Sequence, residues 1–291
     1  MSLNNLAWDQ AIIDDTTVLY NGIVLLLAFT QNRSPKPIGT GFIIGAFGKD
    51  AIGVTAAHNI QGIGDVQAPI KKHHATALPE FIKNGHPIDF DRKKVRAVCS
   101  ENGKIEASII SWAVYDKNSD VAFFSLVPQK NDTTYFKSSF ILDEHIPKLG
   151  DEIAVLGIGH MSVPIEERDG QGNESFQIQR QLILRKGTVT NLHKDGHVLC
   201  RGPCIETSIP VFSGMSGAPA MMLGKGGEPM KPFGLVSSDL EHDEKVKNDR
   251  TVAGSSIVAL LNPIIKLNAV GQRKALLKLN SAFVIKNEKE F

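Results

Sequence analysis

Cysteine is nearly absent from this chain: Cys99, Cys200 and Cys204 are the full set in 291 residues. An odd, sparse set builds no disulfide framework, so the stapled folds of small secreted domains are excluded and a reducing compartment is expected. Cys200 and Cys204 lie close together but lack His or Cys partners at zinc spacing, and no metal site is expected from them. Charge of either sign is also not in excess. A formal net charge of +1 argues against a polyanion-binding face, and no nucleic-acid partner is expected. The nearest thing to a basic run, Arg92-Lys93-Lys94, reads as a solvated surface. Bilayer-length apolar runs are missing: Gly22 to Phe29 is far too short to span a membrane and reads as a buried strand. The first residues carry Asp9, Asp14 and Asp15 and lack a basic start before an apolar run, so no secretory signal is read. The expectation is a cytoplasmic protein without a membrane partner. No repeat or low-complexity segment occurs, and the absence of βαβ alternation excludes a doubly wound parallel sheet.

What the chain does contain is short β-type runs punctuated by Gly, Pro, Asn and Asp. Strands are predicted at 18–30, 38–46, 51–57, 95–100, 105–113 and 121–127. A second series is predicted at 152–157, 177–190, 197–201, 218–222, 232–237 and 252–256. These make about six strands on each side of a polar break near 128–150. Residues 61–92 read as a long insertion with a short helix near 79–83. Apolar spacing from Ile264 to Leu279 predicts a closing helix within 262–291. The expected division is 1–130, 131–261 and this tail.

Three segments carry chemistry. Gly53-Val54-Thr55-Ala56-Ala57-His58 is an apolar strand that ends on small residues and then presents an imidazole. Ser119-Asp120-Val121-Ala122 puts an acid at the start of an apolar strand, where a buried carboxylate is costly unless paired. Phe212-Ser213-Gly214-Met215-Ser216-Gly217 flanks a serine with glycines, which suits a tight turn with an exposed hydroxyl and inward-aimed amides of Gly214 and Ser216. Taken singly, each has an ordinary structural reading: a strand-end His, a turn Asp, a glycine-rich hairpin. The nine histidines do not suggest a metal either, since the densest pair, His73-His74, would point to opposite faces of an extended chain.

Taken together, and in the order His, Asp, Ser, the three segments resemble the trypsin/chymotrypsin-like serine peptidase family. Thr55-Ala56-Ala57-His58 matches the family's histidine motif. Ser119-Asp120-Val121-Ala122 resembles its aspartate motif, and Gly214-Met215-Ser216-Gly217-Ala218-Pro219 its serine motif. Gly234-Leu235-Val236-Ser237 looks like the strand lining the primary specificity pocket. The resemblance spans roughly residues 18–260. It implies an all-β fold of two six-stranded antiparallel barrels with a triad of His58, Asp120 and Ser216 in the cleft between them. It further implies a serine endopeptidase acting on a polypeptide substrate through an acyl-enzyme on Ser216, with no cofactor and no metal. The amides of Gly214 and Ser216 would form the oxyanion hole.

Two departures accompany the likeness. Met215 stands where digestive members carry an acid that pairs with a freed N-terminus, and disulfides are lacking. The chain is in both respects nearer to HtrA-type or viral members, although about 20 residues after Val270 leave no room for a PDZ domain. By resemblance, Pro210, Val236, Ser237 and Asp239 bear on the specificity pocket. Pro210 occupies the position where members that cut after Arg or Lys have an Asp, and Val236 the position where glutamate-specific members have a His. The expected preference is an apolar or small uncharged side chain before the cleaved bond, with Asp239 as a complication. Two other readings were weighed. A serine esterase of the α/β-hydrolase type needs the order Ser, acid, His, yet only His242 follows Ser216. A catalytically silent peptide-binding module on the same fold remains the alternative from a different class.

Overall fold

A computed structural model describes residues 9–13, 22–29, 35–47, 50–61, 63, 67–68, 85–91, 94–101, 104–128, 139–168, 174–223, 231–239 and 255–262. The chain runs β1 (Asp9–Ile13), β2 (Ile23–Phe29), β3 (Pro35–Phe47), β4 (Asp50–Ala56), α1 (Ala57–Gln61), β5 (Gln67–Ala68), β6 (His86–Phe90), β7 (Val95–Glu101), β8 (Lys104–Asp116) and β9 (Val121–Pro128). It continues with β10 (Glu152–Ser162), β11 (Ile165–Arg168), β12 (Glu174–Phe176), β13 (Gln179–His193), β14 (Cys204–Thr207), β15 (Pro219–Met222), β16 (Pro232–Asp239) and β17 (Ser256–Leu260). All pairings are antiparallel.

Two sheets close on themselves. The first joins β8-β7-β2-β3-β4-β9 and returns to β8, a six-stranded barrel, with β6 and β5 added beside β8. The second joins β13-β10-β15-β16-β17-β14 and returns to β13, again six strands. Closure pairs both edges of each of the twelve ring strands, while β5 and β1 stay as outer strands added to the rings. The fold is therefore the expected trypsin-like double barrel.

The apolar pattern explains how the barrels pack. In β2, Val24, Leu26 and Ala28 belong to a core built only from first-barrel residues, with Ile43, Ile110 and Phe124. The alternate residues Ile23, Leu25 and Leu27 join a second core that also holds Leu156, Ile158, Met221 and Leu235 of the other barrel. Successive side chains point to opposite faces, and both faces are buried, so this strand reads as an unbroken apolar run. A third core fills the second barrel around Ile153, Val155, Ile205 and Val236.

Several expectations need correcting. Residues 9–13, placed with the first barrel by the division at 130, form β1, which pairs with β13 of the second: Gln10 stands opposite Arg185 and Ile12 opposite Ile183. The predicted strand at 197–201 is a tight loop closed by His197 and Cys200, which exchange backbone hydrogen bonds of 2.7 and 3.0 Å. Flanking Gly196, at φ 93°, and Pro203 override the β propensity of Val198 and Leu199. The strand proper starts at Cys204. The one predicted at 252–256 is β17, four residues later. The insertion at 61–92 contributes β5 and β6, and the hairpin β11–β12 was not foreseen. The short helix near 79–83 and the closing helix after 262 lie outside the described residues. Among the described residues, no helix is long and apolar enough to cross a membrane.

Candidate active site

His58, Asp120 and Ser216 come from three different elements and line one cleft of about 560 Å³ between the barrels. The small residues ending β4 hand over directly to α1, whose second residue is His58. The Asp120 carbonyl accepts the Ala57 N–H at 3.0 Å and so ties the start of this helix to the β8–β9 turn. That turn is built by Asp116, whose carboxylate accepts the Asn118 N–H at 2.9 Å and the Ser119 hydroxyl at 2.8 Å. Asp120 closes the turn at φ 53°, a left-handed conformation that Asp tolerates better than most residues.

The Asp120 side chain is 10% exposed and its carboxylate is fully engaged. It accepts the backbone N–H of His58 at 3.0 Å, ring Nδ1 of His58 at 2.9 and 3.1 Å, and the Ser237 hydroxyl at 2.6 Å. Three donors on one buried carboxylate satisfy the desolvation cost that made this position informative in the sequence. The His58 side chain itself is about half exposed, at 46%. No hydrogen bond joins His58 to Ser216, although both face the cleft.

The loop carrying Ser216 is held by the opposite barrel. Its Ser216 carbonyl accepts the Thr40 N–H and Asn59 Nδ2, each at 2.9 Å. The Thr40 hydroxyl donates to the Gly214 carbonyl at 2.7 Å and accepts the Ile158 N–H at 3.1 Å. The Thr55 hydroxyl in turn donates to the Thr40 carbonyl at 2.6 Å. With these carbonyls turned away, the amides of Gly214 and Ser216 have no protein acceptor among the described residues. Gly214 lies at φ 95°, and Gly217 at φ 86°. A Cβ on Gly217 would stand 2.1 Å from the Thr40 carbonyl oxygen. Gly217→Ala is therefore expected to destabilise the protein by ~2–3 kcal/mol, read from the urea midpoint, because it combines backbone strain with a main-chain clash.

Sequence reasoning did not single out Thr40, Thr55 and Asn59 as anchors. The structure buries these polar residues to 0, 0 and 6%, and no local pattern in the chain names their partners. The expected specificity residues separate. The Ser237 hydroxyl donates to the Asp120 carboxylate and so supports the His–Asp pair. Pro210 is buried and does not line the cleft, and its carbonyl is taken by the Arg185 guanidinium. Val236 is fully buried, and its backbone bonds to Gly217 and Ala218 at 2.8 and 2.9 Å. Asp239 lies at the end of β16, paired with Ser256. Of the four, Ser237 lines the cleft, and Val211, Phe212, Leu199 and Lys117 line it as well.

Cys200 sits behind the acid, its thiol 3.6 Å from the Ser119 carbonyl. Hydrogen bonding to Cys204 and then burial push the Cys200 thiol far above the ordinary thiol range. Burial at 1% exposure makes it a packing group behind the acid. All three cysteines are buried thiols outside any disulfide.

No curated protein matches the chain. Among solved structures it is similar to the MamO protease domain from Magnetospirillum magneticum (apo form), at 11% identity and TM-score 0.46, over 84% of this chain and 94% of that one. It is also similar to Rv3671c from M. tuberculosis H37Rv, an inactive serine-to-alanine mutant, at 15% identity and TM-score 0.41, over 90% and 88%. The family model for a trypsin-like peptidase domain matches residues 39–226. That match starts on the strand bearing Thr40, takes in His58, Asp120 and Ser216, and covers more than half of the sequence; the chain belongs to the family of trypsin-like peptidase domains.

Proposed function

We propose that this family member is an active serine endopeptidase that cleaves polypeptides through an acyl-enzyme on Ser216. The observation that carries the reading is the fully bonded Asp120–His58 pair, which opens onto the same cleft as Ser216 and two amides without protein acceptors. Facing carboxylate oxygens, His58 Nδ1 is the donor, which leaves Nε2 as the acceptor on the open side. In that tautomer His58 takes the Ser216 hydroxyl proton as the oxygen attacks a peptide carbonyl, then gives it to the leaving amine. Asp120 holds the ring and stabilises the imidazolium. The amides of Gly214 and Ser216 supply fixed dipoles where the oxyanion develops. Water then hydrolyses the ester by the same steps in reverse order, and this chemistry draws on no cofactor.

The walls offered by Val211 and Phe212 favour an apolar or small uncharged side chain before the scissile bond, since neither side chain carries a charge or polar group to meet a buried substrate charge. The cytoplasm is the compartment that suits three thiols outside any disulfide. The missing His58–Ser216 hydrogen bond favours a second reading, a silent module that binds peptide without cutting it. Fluorophosphonate labelling separates the two. The expected result is one label per chain, on Ser216, with peptide-library cleavage concentrated after apolar residues. An unlabelled protein that still binds peptide would establish the silent module. Cleavage confined to Arg or Lys sites and lost in Asp239→Asn would overturn the apolar preference.

A further inference from the structure

We infer that Gln10 and Arg185 are positioning residues: strand β1 braces the loop that leads into the Ser216 turn. This deepens the peptidase reading and rests on it for its catalytic consequence. Arg185, on β13, is 2% exposed. Its Nε and Nη2 both donate to Gln10 Oε1, at 2.9 and 2.8 Å. Its Nη1 donates to the Pro210 carbonyl, and the guanidinium lies 3.8 Å from the centroid of the Phe212 ring. One buried cation therefore joins β1 to two residues of the segment 209–214. Phe212 passes the constraint on directly, because its carbonyl accepts the Met215 N–H at 2.9 Å and closes the turn that contains Gly214. The His160 ring also packs against Phe212, at 4.7 Å between centroids. Arg185 does not line the cleft, so it acts through the loop and not on substrate.

The energetics make Gln10 more than a surface contact. A guanidinium this buried keeps its place only while its N–H groups have acceptors. Removing the Gln10 carbonyl takes away one acceptor that two of them share. Arg185 then shifts or admits water, and the Pro210 carbonyl and Phe212 ring lose their anchor. The other side of the Ser216 turn stays tied to Thr40 and Asn59, so the effect is local loosening and not collapse. Oxyanion donors act by being fixed beforehand, and small displacements of such groups are costly.

The test uses full-length Gln10→Ala and Gln10→Glu, the second of which restores acceptors for the guanidinium. Amide hydrogen exchange is measured across 209–217, together with binding of a peptide boronic acid whose tetrahedral adduct needs the oxyanion amides. Gln10→Ala is expected to speed exchange in 209–217 at least about tenfold, with β7 and β8 unchanged. It is expected to weaken the boronate by roughly tenfold, and Gln10→Glu to recover both. Unchanged exchange in 209–217, acceleration spread evenly over both barrels, or no recovery in Gln10→Glu overturns the brace. Faster exchange with undiminished boronate affinity overturns its link to the oxyanion turn. A wild type that takes up neither boronate nor fluorophosphonate, while exchange still responds to Gln10, sinks the peptidase reading and leaves the brace standing.

Discussion

Ser216→Ala is expected to lower kcat on a cleaved peptide by on the order of 10⁵- to 10⁶-fold, because the whole acyl-transfer route runs through one oxygen. Residual turnover would come from the oxyanion amides and from binding alone. The same substitution should leave folding untouched. Ser216 is held through its carbonyl, by the Thr40 N–H and Asn59 Nδ2, and these bonds survive the loss of the hydroxyl. The thermal midpoint should therefore stay close to that of the wild type, as expected of a change within ~0.5 kcal/mol. Fluorogenic peptide turnover and a melting curve on the same preparation read both quantities. Turnover by the variant at a wild-type rate would remove Ser216 from the mechanism.

Asp120→Asn should cost about 10⁴-fold in kcat by a different route. Asparagine tolerates the left-handed backbone at φ 53°, so the turn is kept. The chemistry of the acceptor is not kept. Asp120 meets three donors: the His58 N–H, His58 Nδ1 and the Ser237 hydroxyl. An amide supplies one oxygen for them and aims an N–H₂ group at the rest. The His58 ring meets that group best with Nδ1 as acceptor, which moves the ring hydrogen to Nε2, where it blocks proton uptake from Ser216. A buried donor left without an acceptor should also lower stability by about 1–3 kcal/mol. The two effects are separable, because the loss of kcat far exceeds anything a partly unfolded fraction would produce. A kcat within tenfold of wild type would show that Asp120 does not orient the base.

Residues whose chemistry is announced by their immediate neighbours were the legible part of the site. His58 follows three small residues, Asp120 precedes an apolar strand, and Ser216 sits among glycines, so each carried its context with it. The supporting shell had no such context. Thr40 and Asn59 reach Ser216 across 176 and 157 positions respectively, and nothing near them in the chain names that partner. Ser237 was read as a pocket residue because its strand was recognised, but the face its hydroxyl takes depends on where Asp120 sits. Pro210 was placed at a pocket floor by counting back from Ser216. The buried guanidinium of Arg185 draws its carbonyl elsewhere.

The sequence by itself determined the strand-rich class, the apolar runs of strands buried on both faces, and the three residue types with their local turns. These follow from backbone sterics and side-chain alternation, which act over a few residues. Only the tertiary structure decided that β1 joins the second barrel, that 197–201 folds as a loop, and that first-barrel threonines hold the second barrel's Ser216 turn. Those outcomes depend on which carbonyls and buried cations find partners once both barrels have closed. Hydrogen-bond satisfaction between segments more than a hundred residues apart leaves no periodic trace in the chain.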